Sequence, residues 1–180
     1  MLTGCFTERY PVNMKGFTYA NKMKYSNEFR IDGFYYMITG YNEFVPIIYF
    51  FDDGYFCGFP IEPSTFASLD NSDCIRIIES MREIPYNWGA YIIENDTIKV
   101  QVFNSYRGAF EKFDIQEQYA TILNDTTIRF FKKTWGGGRA EMQMHYTYYF
   151  RKCILKPSSI NILMQELEKE KEKQLKKKSK

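Results

Sequence analysis

Apolar and polar residues alternate along much of the chain, and the alternation marks strands. In FRIDGFYYMITG, residues 29–40, Phe34, Tyr36 and Ile38 alternate with Tyr35, Met37 and Thr39, which suits a pleated segment. VPIIYFF, residues 45–51, is a second β-rich run. Asp52-Asp53-Gly54 follows, and YFCGF resumes at Tyr55. An Asp-Gly pair between two aromatic runs predicts a hairpin, because glycine takes positive φ at little cost.

Residues 60–73, PIEPSTFASLDNSD, read as a loop. In CIRIIESMREI, residues 74–84, Ile77, Ile78, Met81 and Ile84 fall at helical spacing, so a short amphipathic helix is expected, capped by Asp73 and closed by Pro85. Alternation returns in WGAYIIENDTIKVQVFN, residues 88–104. There Ile98, Val100 and Val102 alternate with Lys99 and Gln101 behind a Glu94-Asn95-Asp96-Thr97 turn. This predicts a hairpin with one dry face and one wet face. EKFDIQEQYATILNDTTIRFFKKTW, residues 111–135, repeats the grammar around Asn124-Asp125-Thr126. Gly136-Gly137-Gly138 makes a further turn, and EMQMHYTYYFRKC, residues 141–153, supplies a last long strand.

The pattern therefore predicts a mainly β chain of seven or eight strands in a meander, with one short inserted helix. Such a meander must close or cover its edges. A small antiparallel barrel or strongly curled sheet is expected, with a sandwich as the alternative. Residues 1–28 read as an extended lead-in or tether and 29–156 as the barrel. Residues 157–180 read as a C-terminal helix, capped by Ser158 or Ser159 with Ile160, Leu163, Met164 and Leu167 on one stripe, running into a charged tail.

Composition agrees with strands, since 18% of the residues are aromatic and Tyr and Phe dominate that share. The net charge of +2 is placed unevenly, because residues 161–180 hold seven Lys and four Glu. The rest of the chain is close to neutral, which argues against a broad phosphate-binding face, so no nucleic-acid partner is expected. Single-strand binding on exposed aromatics also needs a basic groove, which the body lacks. No apolar run reaches the ~20 residues that a spanning helix takes.

Candidate chemistry is sparse. Cys5, Cys57, Cys74 and Cys153 form no C-x-x-C pair, and the last three read as small buried thiols. His145, the one histidine, lies inside a strand pattern and reads as structural. Asp52 and Asp53, like Glu94 and Asp96, are explained by turns. No metal, cofactor or catalytic residue is expected. Inward Tyr and Phe could line an apolar pocket or simply fill the barrel. A monomer is expected.

Leu2-Thr3-Gly4-Cys5 resembles the lipobox of bacterial lipoproteins, in which an apolar residue, a small residue and Gly precede the modified Cys. The resemblance implies Cys5 as a lipid attachment site and an outer-membrane anchor in a bacterial envelope. It also makes Met1–Gly4 the remnant of a signal peptide. FRIDGFYY, WGAYIIENDTIKVQVF and ILNDTTIRFFKK are similar to segments of the lipocalin-like (calycin-type) barrels found among Bacteroides-group lipoproteins. That resemblance implies an antiparallel barrel on a short tether, without catalytic residues to carry over. The function expected is non-catalytic binding of a small apolar ligand or a partner protein. The alternatives are a hydrolase acting in the barrel mouth and a cytoplasmic interaction module that starts at Met1.

Overall fold

The structure, a computed structural model, describes residues 17–19, 29–38, 40, 43–81, 84, 87–105, 113–135 and 138–153. Eight strands form in chain order: β1 (Gly33–Tyr36), β2 (Val45–Phe50), β3 (Tyr55–Ile61), β4 (Trp88–Glu94), β5 (Thr97–Ser105), β6 (Phe113–Asn124), β7 (Thr127–Trp135) and β8 (Ala140–Lys152). Each pairs antiparallel with the next, and β8 pairs with β1, so the meander closes into a barrel. This is the mainly β closed barrel that the alternation pattern predicts, and it is consistent with the lipocalin-like barrel that the resemblance implies.

The turns form where turn chemistry places them. Gly54 takes φ +85° between β2 and β3, and Asn95 takes φ +53° in the two-residue link from β4 to β5. Asn tolerates that left-handed region because its short side chain bonds locally. Between β6 and β7 the Asn124 carboxamide oxygen accepts from the Thr126 N–H at 3.0 Å, an Asx turn.

The region between β3 and β4 departs from expectation. β3 runs on to Ile61, and a short helix α1 (Pro63–Ala67) follows where a loop is predicted, with Pro at its first turn. Helix α2 (Asn71–Met81) begins three residues before the expected Cys74. Its cap is Asp70 and not Asp73, since the Asp70 carboxylate accepts from the Asp73 N–H at 2.8 Å. Asp73 sits in the first turn instead and pairs with Arg76 at 2.7 Å. The first strand is also shorter than the 29–40 pattern, and Phe29 before it packs into the inner cluster. The expected helix over 157–180, its Ser158 or Ser159 cap, and Cys5 lie outside the described residues.

Paired residues share a face of the sheet, and the register sorts the core into two parts. One face carries Tyr35, Phe50, Phe56, Tyr91, Ile98, Val100, Ala120, Ile128, Phe130, Met144 and Tyr148. These buried residues come from all eight strands and form one cluster with Phe29, so this face is the lumen. The Phe50 and Tyr91 rings lie 4.9 Å apart although β3 separates their strands, as side chains do on a concave face. Among the described residues the outward face is buried and apolar chiefly over β1 to β4. There Phe34, Ile47, Tyr49, Cys57, Phe59, Trp88 and Ala90 are covered by Leu69 before α2 and by Cys74 and Ile78 of α2.

Candidate functional site

The two ends of the lumen differ. At the end of the short turns, aromatic rings close it. Phe29 stacks on Tyr35 at 5.2 Å and meets Phe50 edge-on at 4.9 Å. Edge-to-face and offset rings of this kind fill volume and lock each other's orientation. The phenols at this end are satisfied by backbone. Tyr91 donates to the Phe51 carbonyl at 2.6 Å, and Tyr35 to the Arg30 carbonyl at 3.2 Å. Burial pushes the Tyr35 phenol well above its ordinary range. Arg30 lies over the Phe150 ring at 4.3 Å and pairs with Asp32 at 2.7 Å, where its guanidinium holds that carboxyl below the usual range.

The opposite end is wide because β5 to β8 outrun β1 to β4. β1 stops at Tyr36, opposite Tyr149, while β8 reaches back to Ala140. Along this extension the lumen face changes character. The register aligns Val102 with Gln116, Gln118 with Lys133, Lys133 with Met142, and Trp135 with Ala140. Gln116 is buried, and the Gln118 amide donates to its carbonyl oxygen at 3.3 Å. The Lys133 ammonium lies 5.7 Å from the Trp135 ring centre, within cation–π range. Met142 and Tyr146 are 48% and 49% exposed, although both share the lumen-facing side of β8. The wide end thus carries two amides, one ammonium, a Trp, a Met and a Tyr on its lumen-facing side.

A second polar group lies on the outward face of β5 and β6. The Gln101 amide nitrogen donates to Glu117 and to the Thr18 hydroxyl, each at 3.0 Å, while its oxygen accepts from the Thr18 N–H at 2.8 Å. The Tyr19 and Tyr119 phenols donate to the two Glu117 oxygens at 3.0 and 2.8 Å. Burial raises the Glu117 carboxyl, but these three donors outweigh it and leave its pKa lowered. Tyr19 shifts upward through burial and the adjacent Glu117 charge. Gln101, expected on a wet face, is therefore buried at 3% exposure, because residues 17–19 lie across it. The network clamps that short segment to the barrel wall.

The remaining candidates have structural settings. Cys57, Cys74 and Cys153 are buried thiols outside any disulfide, and burial pushes both Cys57 and Cys74 up to about 12. Thiols so shifted are poor nucleophiles. His145 is exposed on β8. The Asp53 carboxylate accepts from the Tyr55 N–H at 3.2 Å within its turn, and Glu94 pairs with Lys99 across the next hairpin. Among the described residues no group of His, Cys, Asp and Glu is arranged to hold a metal ion.

Sequence reasoning missed the wide end. The available signal is Gln116-Glu117-Gln118, three consecutive polar residues inside a strand, which puts polar side chains on both faces there. Comparison of the chain with protein-family models, with curated proteins and with solved structures finds no match.

Proposed function

We propose that the protein is a non-catalytic binding protein, tethered to a bacterial envelope membrane through lipid on Cys5, that holds a small apolar ligand at the wide end of its barrel. The observation that carries the reading is the contrast between the lumen's two ends. Rings close one end, so a ligand has no place deep in the barrel. At the other, Met142 and Tyr146 stay exposed on the lumen-facing side beside Trp135 and Lys133. Apolar and aromatic walls with a few polar groups are the usual make-up of a small-molecule site. The amides, ammonium, thioether and phenol described there do not make a nucleophile–base pair, which supports binding over hydrolysis. Ile38 and Phe44, exposed in the β1–β2 connection at the same end, favour a second reading in which this end grips a partner protein.

Binding is tested with anilinonaphthalene sulfonate, an apolar dye with an anionic group suited to Lys133. Saturable binding with energy transfer from tryptophan is expected, lost in Trp135→Ala and weakened in Lys133→Ala. Binding unchanged in both variants would place the dye elsewhere and overturn the site. The tether is tested by feeding cells a clickable fatty-acid analogue while they express the gene with its native upstream sequence. Label that disappears in Cys5→Ser supports the anchor, and an unlabelled chain refutes it.

A further inference from the structure

We propose that Cys74 and Cys153 close into a disulfide that fastens the helical insertion to the end of β8. The two thiols come from distant parts of the chain. Cys74 lies near the start of α2, and Cys153 follows the last residue of β8. Both are buried in the apolar cluster beneath the helix, where their side chains are hydrogen-bonded to each other. Their surroundings hold them there. The Cys153 N–H donates to the Asp32 carbonyl at 3.1 Å, beside the start of β1. Two residues earlier, the Arg151 guanidinium donates to the Phe66 and Leu69 carbonyls at 3.3 and 2.8 Å. It thereby holds the stretch between α1 and α2 against the end of β8. Cys57 lies in the same cluster, but the Cys74 thiol bonds Cys153 and Tyr49, and Cys57 responds to burial alone. The contact therefore selects one pair out of three thiols.

The bond forms by exchange with a disulfide-bearing oxidant, such as oxidised glutathione or a protein disulfide. One thiolate attacks a sulfur of the donor, joins it, and releases the first donor thiolate. The second thiolate attacks this mixed disulfide at the chain's own sulfur and releases the second. The two protons of the chain's thiols end on the donor's sulfurs, so two thiols are oxidised and one donor disulfide is reduced to two thiols. The Arg151 charge favours the Cys74 thiolate, but burial opposes it more strongly. Exchange is therefore fastest before α2 docks, and the bridge is sheltered once the helix covers it. In the cell the step needs an oxidising compartment, and in that respect it rests on the envelope reading. The loop it closes spans almost half the chain, and long loops restrict the unfolded state most.

Refolding the full chain from urea in a glutathione redox buffer tests the bridge. Alkylation in denaturant is then expected to label two of its four cysteines, and a peptide map to join Cys74 to Cys153. A chain that labels at all four, or a bridge that uses Cys5 or Cys57, would overturn the pairing. Cys57→Ala is expected to keep the bridge, and Cys74→Ala and Cys153→Ala each to lose it. The oxidised parent should unfold at higher urea than the reduced parent, with its folding equilibrium favoured on the order of a hundredfold. That difference should vanish in Cys74→Ala and Cys153→Ala. Equal midpoints for the two forms of the parent would show that the bridge fastens nothing. Lipid labelling at Cys5 and dye binding at Trp135 involve neither thiol. A lipidated chain without the bridge therefore sinks this inference alone, and a bridged chain without lipid sinks the anchor alone.

Discussion

Strands β1, β2 and β3 carry apolar side chains on both faces, whereas β5 to β8 carry them chiefly on one. The difference follows from what lies outside each half. Helices α1 and α2 interrupt the meander between β3 and β4 and fold back over β1 to β3. Those strands are buried twice, once by the lumen and once by the helices, so VPIIYF and YFCGFPI read as nearly continuous apolar runs. β5 to β8 face solvent, and Lys99, Arg129, Lys132 and Glu141 occupy their outward positions. One barrel thus contains both the two-sided pattern usual in covered sheets and the alternating pattern usual in open ones. The lesson is that an apolar run in a meander reports a neighbour outside the sheet.

The sharpest way to break this comparison is to put charge on the outward face of each half. Cys57→Lys places an ammonium in the apolar cluster of Tyr49, Trp88 and α2. Burying an unpaired charge costs several kcal/mol, so this variant is expected not to fold. Arg129→Glu, on the outward face of β7, is expected to change stability by less than about 0.5 kcal/mol. Urea titrations followed by circular dichroism check both. Equal effects at the two positions would contradict the two-sided burial of β3.

Next in size is the clamp on the exposed half. Gln101→Ala removes both ends of an amide that holds residues 17–19 and leaves Glu117 with one donor fewer. A loss of roughly 1–3 kcal/mol is expected, the cost of stranding buried polar partners. Limited proteolysis should reach residues 17–19 faster while the β1–β3 half stays resistant. Faster cleavage in both halves would mean that the clamp supports the whole barrel.

A smaller effect comes from protonating that clamp. The Glu117 carboxyl is held below its ordinary value in the folded state, so its contribution is present above the unfolded carboxyl range, about 4.3. It is lost as pH falls through the lower folded value. Acid is therefore expected to release residues 17–19 before the barrel melts, and Glu117→Gln to flatten that dependence. Amide hydrogen exchange at Thr18 and Tyr19, whose N–H groups bond Gln101, reads it directly.

How far the chain discloses this arrangement depends on which half is considered. Ile98, Val100 and Val102 against Lys99 and Gln101 state their faces outright, and the Asn95 and Asn124 turns fix the hairpins. In VPIIYFF no face can be assigned, because alternation disappears when both sides are buried. α2 is legible as a helix, but its start is not. Asp70 and Asp73 are equally good caps by composition, and only the fold decides which one meets a backbone N–H. Gln101 is misread as wet because residues 17–19 reach it from a segment without periodicity. The wide end stays hidden for a different reason. It exists because four strands outrun four others, and strand lengths follow from pairing partners that lie far apart in sequence.

The smallest test uses one substitution twice, on the two faces of the sheet. Tyr49 points outward under α2, and its hydroxyl is fully buried beside the thiols of Cys74, Cys153 and Cys57, with no oxygen or nitrogen partner among the described residues and only the weak Cys74 thiol to bond. Tyr91 points into the lumen, and its hydroxyl donates to the Phe51 carbonyl. Removing an unsatisfied buried hydroxyl relieves a desolvation cost, whereas removing a bonded one loses the bond. Tyr49→Phe is therefore expected to stabilise by about 1 kcal/mol, and Tyr91→Phe to destabilise by a similar amount. Thermal melts of the two variants should move in opposite directions from the parent. If both fall, a partner holds the Tyr49 hydroxyl, and the helix-covered face is as fully satisfied as the lumen.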